Sequence, residues 1–262
     1  MTETDPQNLS FGSDAAGYDA GRLDYPPALY GRLADAGLVE GARVFEIGAG
    51  TGIATARMLS VRPSRLTAVE PDPRMAALLA DRLGANPALE VTVGSFEDTD
   101  FEPGAYDLGT AATAFHWCDA TRAAARAFGA IRAGGRLVLF WNVYRSFEEN
   151  DAFGRAVAPF IAAAGDDTEA LRRSLPDLSA IAKALEAAGF AAVATDRIDW
   201  SITLSPMQNR ALYASMSMTR ALPADRRRTL LDAIEATARD GFPDPVERQF
   251  HTLLIEARRP PS

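Results

Sequence analysis

The run Val44-Phe45-Glu46-Ile47-Gly48-Ala49-Gly50-Thr51-Gly52 restricts what this chain can fold into more than any other stretch. Val44, Phe45 and Ile47 place apolar side chains on both faces of an extended segment, which suits a strand covered on both sides. Glycines at 48, 50 and 52 then break it. They open positive φ and remove Cβ atoms, so a ligand can lie against bare backbone. Ile53 to Leu59 continues as a helix whose unpaired N–H groups point back at that ligand. Strand, glycine turn and helix make a seat for a small polar molecule.

Strand and helix alternate beyond it. The pattern predicts a strand over 66–70 ending in Glu70, a helix through Met75, Leu78, Leu79 and Leu83, and a strand over 89–93. The loop Gly94-Ser95-Phe96-Glu97-Asp98 leads to a fourth strand from Tyr106 towards Ala111. Asp119 caps a helix holding Ala123, Phe128 and Ile131, and Gly134-Gly135 turns the chain into a buried strand over 137–141. This is the signature of a parallel sheet covered by helices on both faces. Such sheets hold ligands beyond the carboxyl ends of their strands, at the switch point. Glu46, Glu70, Phe96 and His116 all fall at or just after strand ends, so they converge on one crevice.

The flanks are less regular. Residues 1–25 carry little periodicity and form no obvious element, yet hold Phe11, Tyr18 and Tyr25, which either fold over a ligand or staple the terminus to the core. Pro26 and Pro27 open a helix that Gly37 stops. Helices are expected from about 148 to 164 and 177 to 188, a strand over 192–204, helices over 207–221 and 224–239, and a last strand over 246–255 antiparallel to its predecessor. The expected organisation is one domain over 1–262. It comprises an N-terminal cap and first helix (1–39), a ligand-binding core (40–145), helices and a sixth strand (146–204), a helical lid (205–245) and a last strand (246–258).

A formal net charge of −8 argues against general affinity for nucleic-acid backbones. Cys118 is the only cysteine, so no internal disulfide is possible and a reducing compartment fits. The acidic, polar start reads as the reverse of a leader, and no apolar run approaches the roughly 20 residues of a membrane span. These features predict a soluble cytoplasmic protein, monomer or homodimer, whose partner is a small molecule rather than nucleic acid or membrane.

The glycine spacing narrows the ligand. A dinucleotide turn wants G-x-G-x-x-G, but Ile53 occupies the third glycine position and the spacing is G-x-G-x-G. Glu46, two residues before the first glycine, would repel a pyrophosphate and suits an ammonium group. Glu46-Ile47-Gly48-Ala49-Gly50-Thr51-Gly52 resembles the first motif of the class I S-adenosylmethionine (SAM)-dependent methyltransferases. Glu70 lies 70 − 46 = 24 positions on, where that family binds the ribose hydroxyls. Thr113-Ala114-Phe115-His116-Trp117 resembles the sequence after the fourth strand in the type 11, trans-aconitate-methyltransferase-like branch. Tyr18, Arg22 and Tyr25-Pro26 resemble that branch's cap.

The resemblance covers roughly residues 10 to 145. It implies an α/β, Rossmann-like, doubly wound seven-stranded sheet, mostly parallel with an antiparallel last strand. It also implies SAM as cofactor, S-adenosylhomocysteine (SAH) as product, no metal, and a small acceptor. Glu46, Gly48, Ala49, Gly50, Gly52, Glu70, Pro71, Thr113, Ala114, Tyr18 and Arg22 would contact the cofactor. Ser95 stands where many relatives carry Asp against the adenine amino group, with Phe96 and Glu97 following. Phe96 either stacks on adenine or packs in the core.

His116 is read as a general base, as a cofactor or substrate contact, or as a structural hydrogen-bonder. Trp117, Tyr25, Trp141 and Tyr213 are candidate acceptor contacts. Tyr213, Trp200, Met207, Met216 and Met218 either line an apolar pocket or pack the lid. Arg226-Arg227-Arg228, flanked by Asp225 and Asp232, reads as a solvated face. Two other readings compete with an enzyme of this family: a non-catalytic SAM-binding domain on the same scaffold, and a nicotinamide dehydrogenase.

Overall fold

The computed structural model describes residues 15–144, 151–165 and 176–262, apart from the side chains of residues 15, 16 and 18. The opening run folds as strand β1 (Arg43–Ile47), a turn, and helix α3 (Ile53–Leu59). Two short helices precede it, α1 (Ala15–Gly21) and α2 (Pro27–Asp35). Strands β2 (Arg65–Glu70), β3 (Leu89–Val93), β4 (Tyr106–Ala112) and β5 (Ile131–Val143) alternate with α4 (Pro73–Leu83) and α5 (Ala120–Ala130).

The order across the seven-stranded sheet is β3-β2-β1-β4-β5-β7-β6, where β6 is Ala191–Leu204 and β7 is Val246–Arg258. The pairs among β1 to β5 are parallel, and β7 runs antiparallel to both β5 and β6. The order reverses at β1, which pairs with β2 on one side and β4 on the other. The crevice therefore opens where β1 and β4 end.

Alternation along the strands divides the core between two faces. Phe45, Ile47, Leu137, Leu139 and Trp141 pack under the alanines of α5 and under α7 (Leu178–Ala187). Val44, Val138 and Phe140 pack on the other face, against α2 and α3. Side-chain caps fix two of the covering helices: Asp72 accepts the N–H of Arg74 at the start of α4, and Asp119 accepts those of Thr121 and Arg122 at the start of α5.

The helices of the expected lid share a separate core with α6 (Ala152–Ala163) and β7. Helices α6, α8 (Pro206–Ala214), α9 (Ser217–Ala221) and α10 (Ala224–Gly241) bury Phe153, Val157, Leu212, Leu230 and Ile234 together with Val246 and Phe250 of β7. At its centre Arg248, 0% exposed, makes an ion pair with Asp151 at 2.9 Å and donates to Asn209. Its guanidinium carbon lies 4.6 Å from the Phe153 ring centroid and 4.8 Å from that of Phe250.

Three details depart from the sequence reading. Residues 15–21 do form an element, α1. The expected helix over 207–221 is two, because Met216 adopts an extended backbone conformation and Ser215 bonds back to Leu212 O at 2.7 Å. Gly134-Gly135 does not separate α5 from a short strand. It forms an irregularity inside the long β5, whose register against β4 shifts between Tyr106 and Leu108. The expected start of a helix near residue 148, and Phe11, lie outside the described residues.

Candidate active site

Gly48, Gly50 and Gly52 all sit at positive φ, +62°, +58° and +88°, where a side chain is strained. Only Gly50 leaves room as well. A Cβ on Gly48 would fall 2.5 Å from Ala114 Cβ, and one on Gly52 would fall 3.0 Å from Leu83, whereas one on Gly50 would meet nothing closer than Met75 Cε at 3.6 Å. Two of the three glycines thus bring β4's end and α4 against the turn, and the middle one leaves backbone bare. The turn is tied down by Ala49 N–H to Val69 O at 3.1 Å and by Gly50 N–H to Glu70 Oε2 at 2.8 Å.

A cleft open to solvent lies over this turn. Arg22, Tyr25, Glu46, Gly48, Ala49, Gly50 and Thr113 line it, together with Leu23, Thr51 and Tyr144, which sequence reasoning did not single out. Tyr144 stands just past the carboxyl end of β5, the kind of place already marked by Glu70 and His116, so the same rule reaches it. Thr113, expected from the segment after β4, is a β-branched residue held at φ +54°. Its N–H reaches Phe140 O at 2.7 Å and its Oγ1 shares a 2.7 Å hydrogen bond with Tyr25 Oη. Strain of this kind persists where surrounding contacts enforce it.

Glu46 is 0% exposed and points to the α3 side, where Thr55 Oγ1 donates to Oε2 at 2.5 Å. Its Oε1 is buried with no partner. Burial pushes the carboxyl up to about 8, against the Thr55 hydrogen bond and with help from the charge of Glu70. A sealed acceptor without a donor beside a cleft is costly unless a ligand supplies the donor. An ammonium is such a donor, so these residues fit the aminoacyl end of SAM.

Glu70 ends β2, with Oε1 accepting the Asp72 N–H at 2.9 Å and Oε2 that of Gly50. Burial raises it to about 6 despite those bonds. Each oxygen keeps a second lone pair. The cleft does not extend over Glu70, Pro71, Ser95, Phe96 or Glu97. Phe96 is 3% exposed, with its ring 5.4 Å from that of Phe45 and 5.3 Å from that of Phe101. Of its two expected roles it takes core packing, because the aromatic cluster occupies its faces. Glu97 accepts the N–H of Asp119 at 2.8 Å, and Ser95 donates to Asp98 at 2.7 Å.

His116 sits on a single helical turn after β4, half-buried, with Nδ1 accepting the Trp141 indole N–H at 3.0 Å. Its ring centroid is 4.8 Å from that of Trp117. Burial, and then the charge of Arg22, push the imidazole down to about 4. With Nδ1 taken by Trp141, that lone pair is not open to a proton from an acceptor. Trp141 is 2% exposed and spends its one polar atom on His116. Tyr213, also 2% exposed, packs in the lid core with its ring centroid 5.8 Å from the Arg248 guanidinium carbon, so it does not line the cleft. Ala114 is buried beneath Gly48, and the side chain of Tyr18 lies outside the described residues.

Among the described residues, no group of three or more His, Cys, Asp or Glu could hold a metal ion, and no helix is long and apolar enough to cross a membrane.

Residues 45–139 match a family model described as a methyltransferase domain. An uncharacterized methyltransferase of Mycobacterium tuberculosis is 32% identical over 227 residues, 87% of this chain and 84% of that protein. Among solved structures, phosphoethanolamine N-methyltransferase 2 of Haemonchus contortus, in complex with SAH, aligns with a TM-score of 0.59 at 14% identity over 95% of this chain. The alignment spans only 57% of that longer chain. A putative sarcosine dimethylglycine methyltransferase of Galdieria sulphuraria aligns with a TM-score of 0.54 at 14% identity, over 89% of this chain and 84% of its own. At these identities the structural likeness speaks for the fold, and the mycobacterial relative for the family. The chain belongs to the class I SAM-dependent methyltransferases.

Proposed function

We propose that this enzyme methylates a small organic acceptor, with the aminoacyl end of SAM held over the glycine turn and the acceptor admitted beside Arg22, Tyr25 and Tyr144. The observation that carries this reading is the orphaned Oε1 of buried Glu46 next to the bare backbone at Gly50. When bound, SAM supplies a methyl on a positively charged sulfur, and transfer to a nucleophile leaves the neutral thioether. The protein's part is alignment and exclusion of water, and alignment can be worth about 7–11 kcal/mol.

In this reading Glu46 accepts from the ammonium, Gly50 lets the cofactor approach the chain, and the remaining lone pairs of Glu70 take the ribose hydroxyls. Pro71, Ser95 and Glu97 would border the adenosine end, and Tyr18 is kept as a contact only on the family resemblance. Thr113 and Tyr25, fixed by their mutual hydrogen bond, would form one wall of the site. The working division is a cap over 1–39, a SAM-binding core over 40–145 and a lid over 205–245. A monomer or homodimer is expected, a reducing cytoplasm suits the single cysteine, and methyl transfer from a sulfonium needs no metal. A small acceptor is named for one structural neighbour, phosphomonomethylethanolamine, and the cleft over the glycine turn suits an acceptor of that size.

Calorimetric titration with SAH, beside NAD as control, tests the reading. SAH is expected to bind in the micromolar range and NAD not at all. No heat and no thermal stabilisation with SAH would defeat it.

A further inference from the structure

Arg22, Leu23 and Tyr25 line the cleft, yet the segment that carries them belongs to no helix or strand: α1 ends at Gly21 and α2 begins at Pro27. Its carbonyls must therefore find partners outside helix and sheet. Two side chains at the end of β5 supply them. Tyr144 Oη donates to Leu23 O at 3.3 Å, and Asn142 Nδ2 donates to Asp24 O at 3.4 Å and to Tyr144 Oη at 3.1 Å. The Asp24 carboxylate ties the same segment to α2 and α3, accepting from Tyr30 Oη at 2.7 Å and from Arg57 Nε at 2.6 Å.

Asn142 is itself held from behind. Thr252 of β7 stands opposite it in register, and Thr252 Oγ1 donates to Asn142 Oδ1 at 2.7 Å while accepting the Trp200 indole N–H of β6 at 3.0 Å. The directions are forced, because an indole N–H only donates and a backbone carbonyl only accepts. Thr252 spends its one proton on Asn142, the amide turns its NH2 to Asp24 O and Tyr144, and the Tyr144 proton is left for Leu23 O. Donation thus runs one way across three adjacent strands, from the edge of the sheet to the N-terminal cap. Thr252 and Asn142 are buried and neither lines the cleft.

We propose that Asn142 is a positioning residue for the methyltransferase: its amide sets Tyr144 and the 22–25 segment against the glycine turn, and Thr252 and Trp200 fix the orientation of that amide. Three lining residues then depend on one group that lies outside the cleft: Tyr144 directly, Leu23 through Tyr144, and Tyr25 through Asp24. Tyr25 carries the effect on to Thr113, with which it shares a 2.7 Å hydrogen bond. A carboxylate at position 142 would keep the shape and lose both donors, leaving an acceptor against Asp24 O. The inference rests on the cleft being the cofactor site of the proposed methyltransferase.

The test combines hydrogen–deuterium exchange of the free protein, read by mass spectrometry on peptides covering residues 22–33, with calorimetric titration by SAH. Asn142→Asp is expected to raise exchange in this segment and to weaken SAH binding by about tenfold or more, the loss of two donors facing buried acceptors. Thr252→Val, which keeps the buried shape and covers the case in which Asn142→Asp does not fold, is expected to do both by about fivefold, the loss of one neutral hydrogen bond. Thr252→Ser restores the hydroxyl and is expected to return both readings to about the wild-type values. A role in packing alone predicts a lower melting temperature with segment exchange and SAH affinity unchanged in the folded variants, and that result overturns the proposal. So does a serine variant that behaves like the valine variant. Failure of the wild-type protein to bind SAH would instead defeat the proposed function, with the exchange data still deciding whether Asn142 positions the segment.

Discussion

Glu70 holds Gly50: the carboxylate at the end of β2 accepts the N–H of the middle glycine at 2.8 Å. The acid proposed for the ribose hydroxyls is therefore also a strut of the glycine turn. Glu70→Ala removes both functions, so SAH affinity and stability should fall together. Each loss should be about 1–3 kcal/mol, the range for hydrogen bonds to a charged group. Glu70→Gln keeps one accepting oxygen and should fall between. A calorimetric titration beside a urea melt separates the two losses, and weakened binding with unchanged stability would show that the strut contributes nothing.

Glu46 gives binding a pH dependence. Its carboxyl is held up near 8 in the free protein, and a neighbouring ammonium favours the charged form. Binding should therefore release a proton at pH 6 to 7.5, roughly the window below that value, and SAH affinity should rise with pH there. Glu46→Gln should flatten the dependence. The free protein behaves oppositely. An acid whose folded pKa is raised favours folding below its unfolded value near 4.5, and loses that contribution as pH climbs through about 8. Thermal melts of wild type and Glu46→Gln from pH 5 to roughly 8.5 should diverge, with the variant gaining relative stability as pH rises.

The glycines of the turn should not be equivalent. Gly50→Ala carries the left-handed penalty of about 1–2 kcal/mol and meets nothing nearer than 3.6 Å. Gly48→Ala adds a collision with Ala114 Cβ at 2.5 Å, and should cost about 1–3 kcal/mol more by overpacking. Melting temperatures in the order wild type, Gly50→Ala, Gly48→Ala are expected. The reverse order of the two variants would contradict the packing described for Gly48.

The lid ion pair should reveal itself through non-additivity. Removing one partner of a buried pair strands the other, at about 3–5 kcal/mol. Asp151→Ala and Arg248→Met should each show a loss of that order in urea unfolding. The double variant should lose much less than the sum, because neither charge is left buried alone.

Much of the fold was legible because it is local. Val44 to Gly52 carries its own strand, turn and helix, and the alternation through Trp141 follows from periods of two and 3.6 residues. What escaped was tertiary. Trp141 meets His116 across 25 positions, Tyr25 meets Thr113 across 88, and Arg248 meets Asp151 across 97. No periodicity links such pairs. Phe96 shows the same limit from the other side: its place after a strand end fits a ligand contact, but the nearby rings of Phe45 and Phe101 claim it. Tyr213 is claimed in the same way by the lid core.

Helix α1 joins regions distant in sequence. Its Asp19 accepts from Thr51 Oγ1 at 2.7 Å and from Arg82, while a Cβ on Gly21 would fall 2.2 Å from Ala211 O in α8. Seven residues are thus wedged between the cofactor turn and the lid, with no space for a methyl group at the second contact. An N-terminal deletion reaching residue 22 would unseat both at once, so a fusion partner belongs at the carboxyl end, and amino-terminal tags should be judged by SAH binding rather than by solubility.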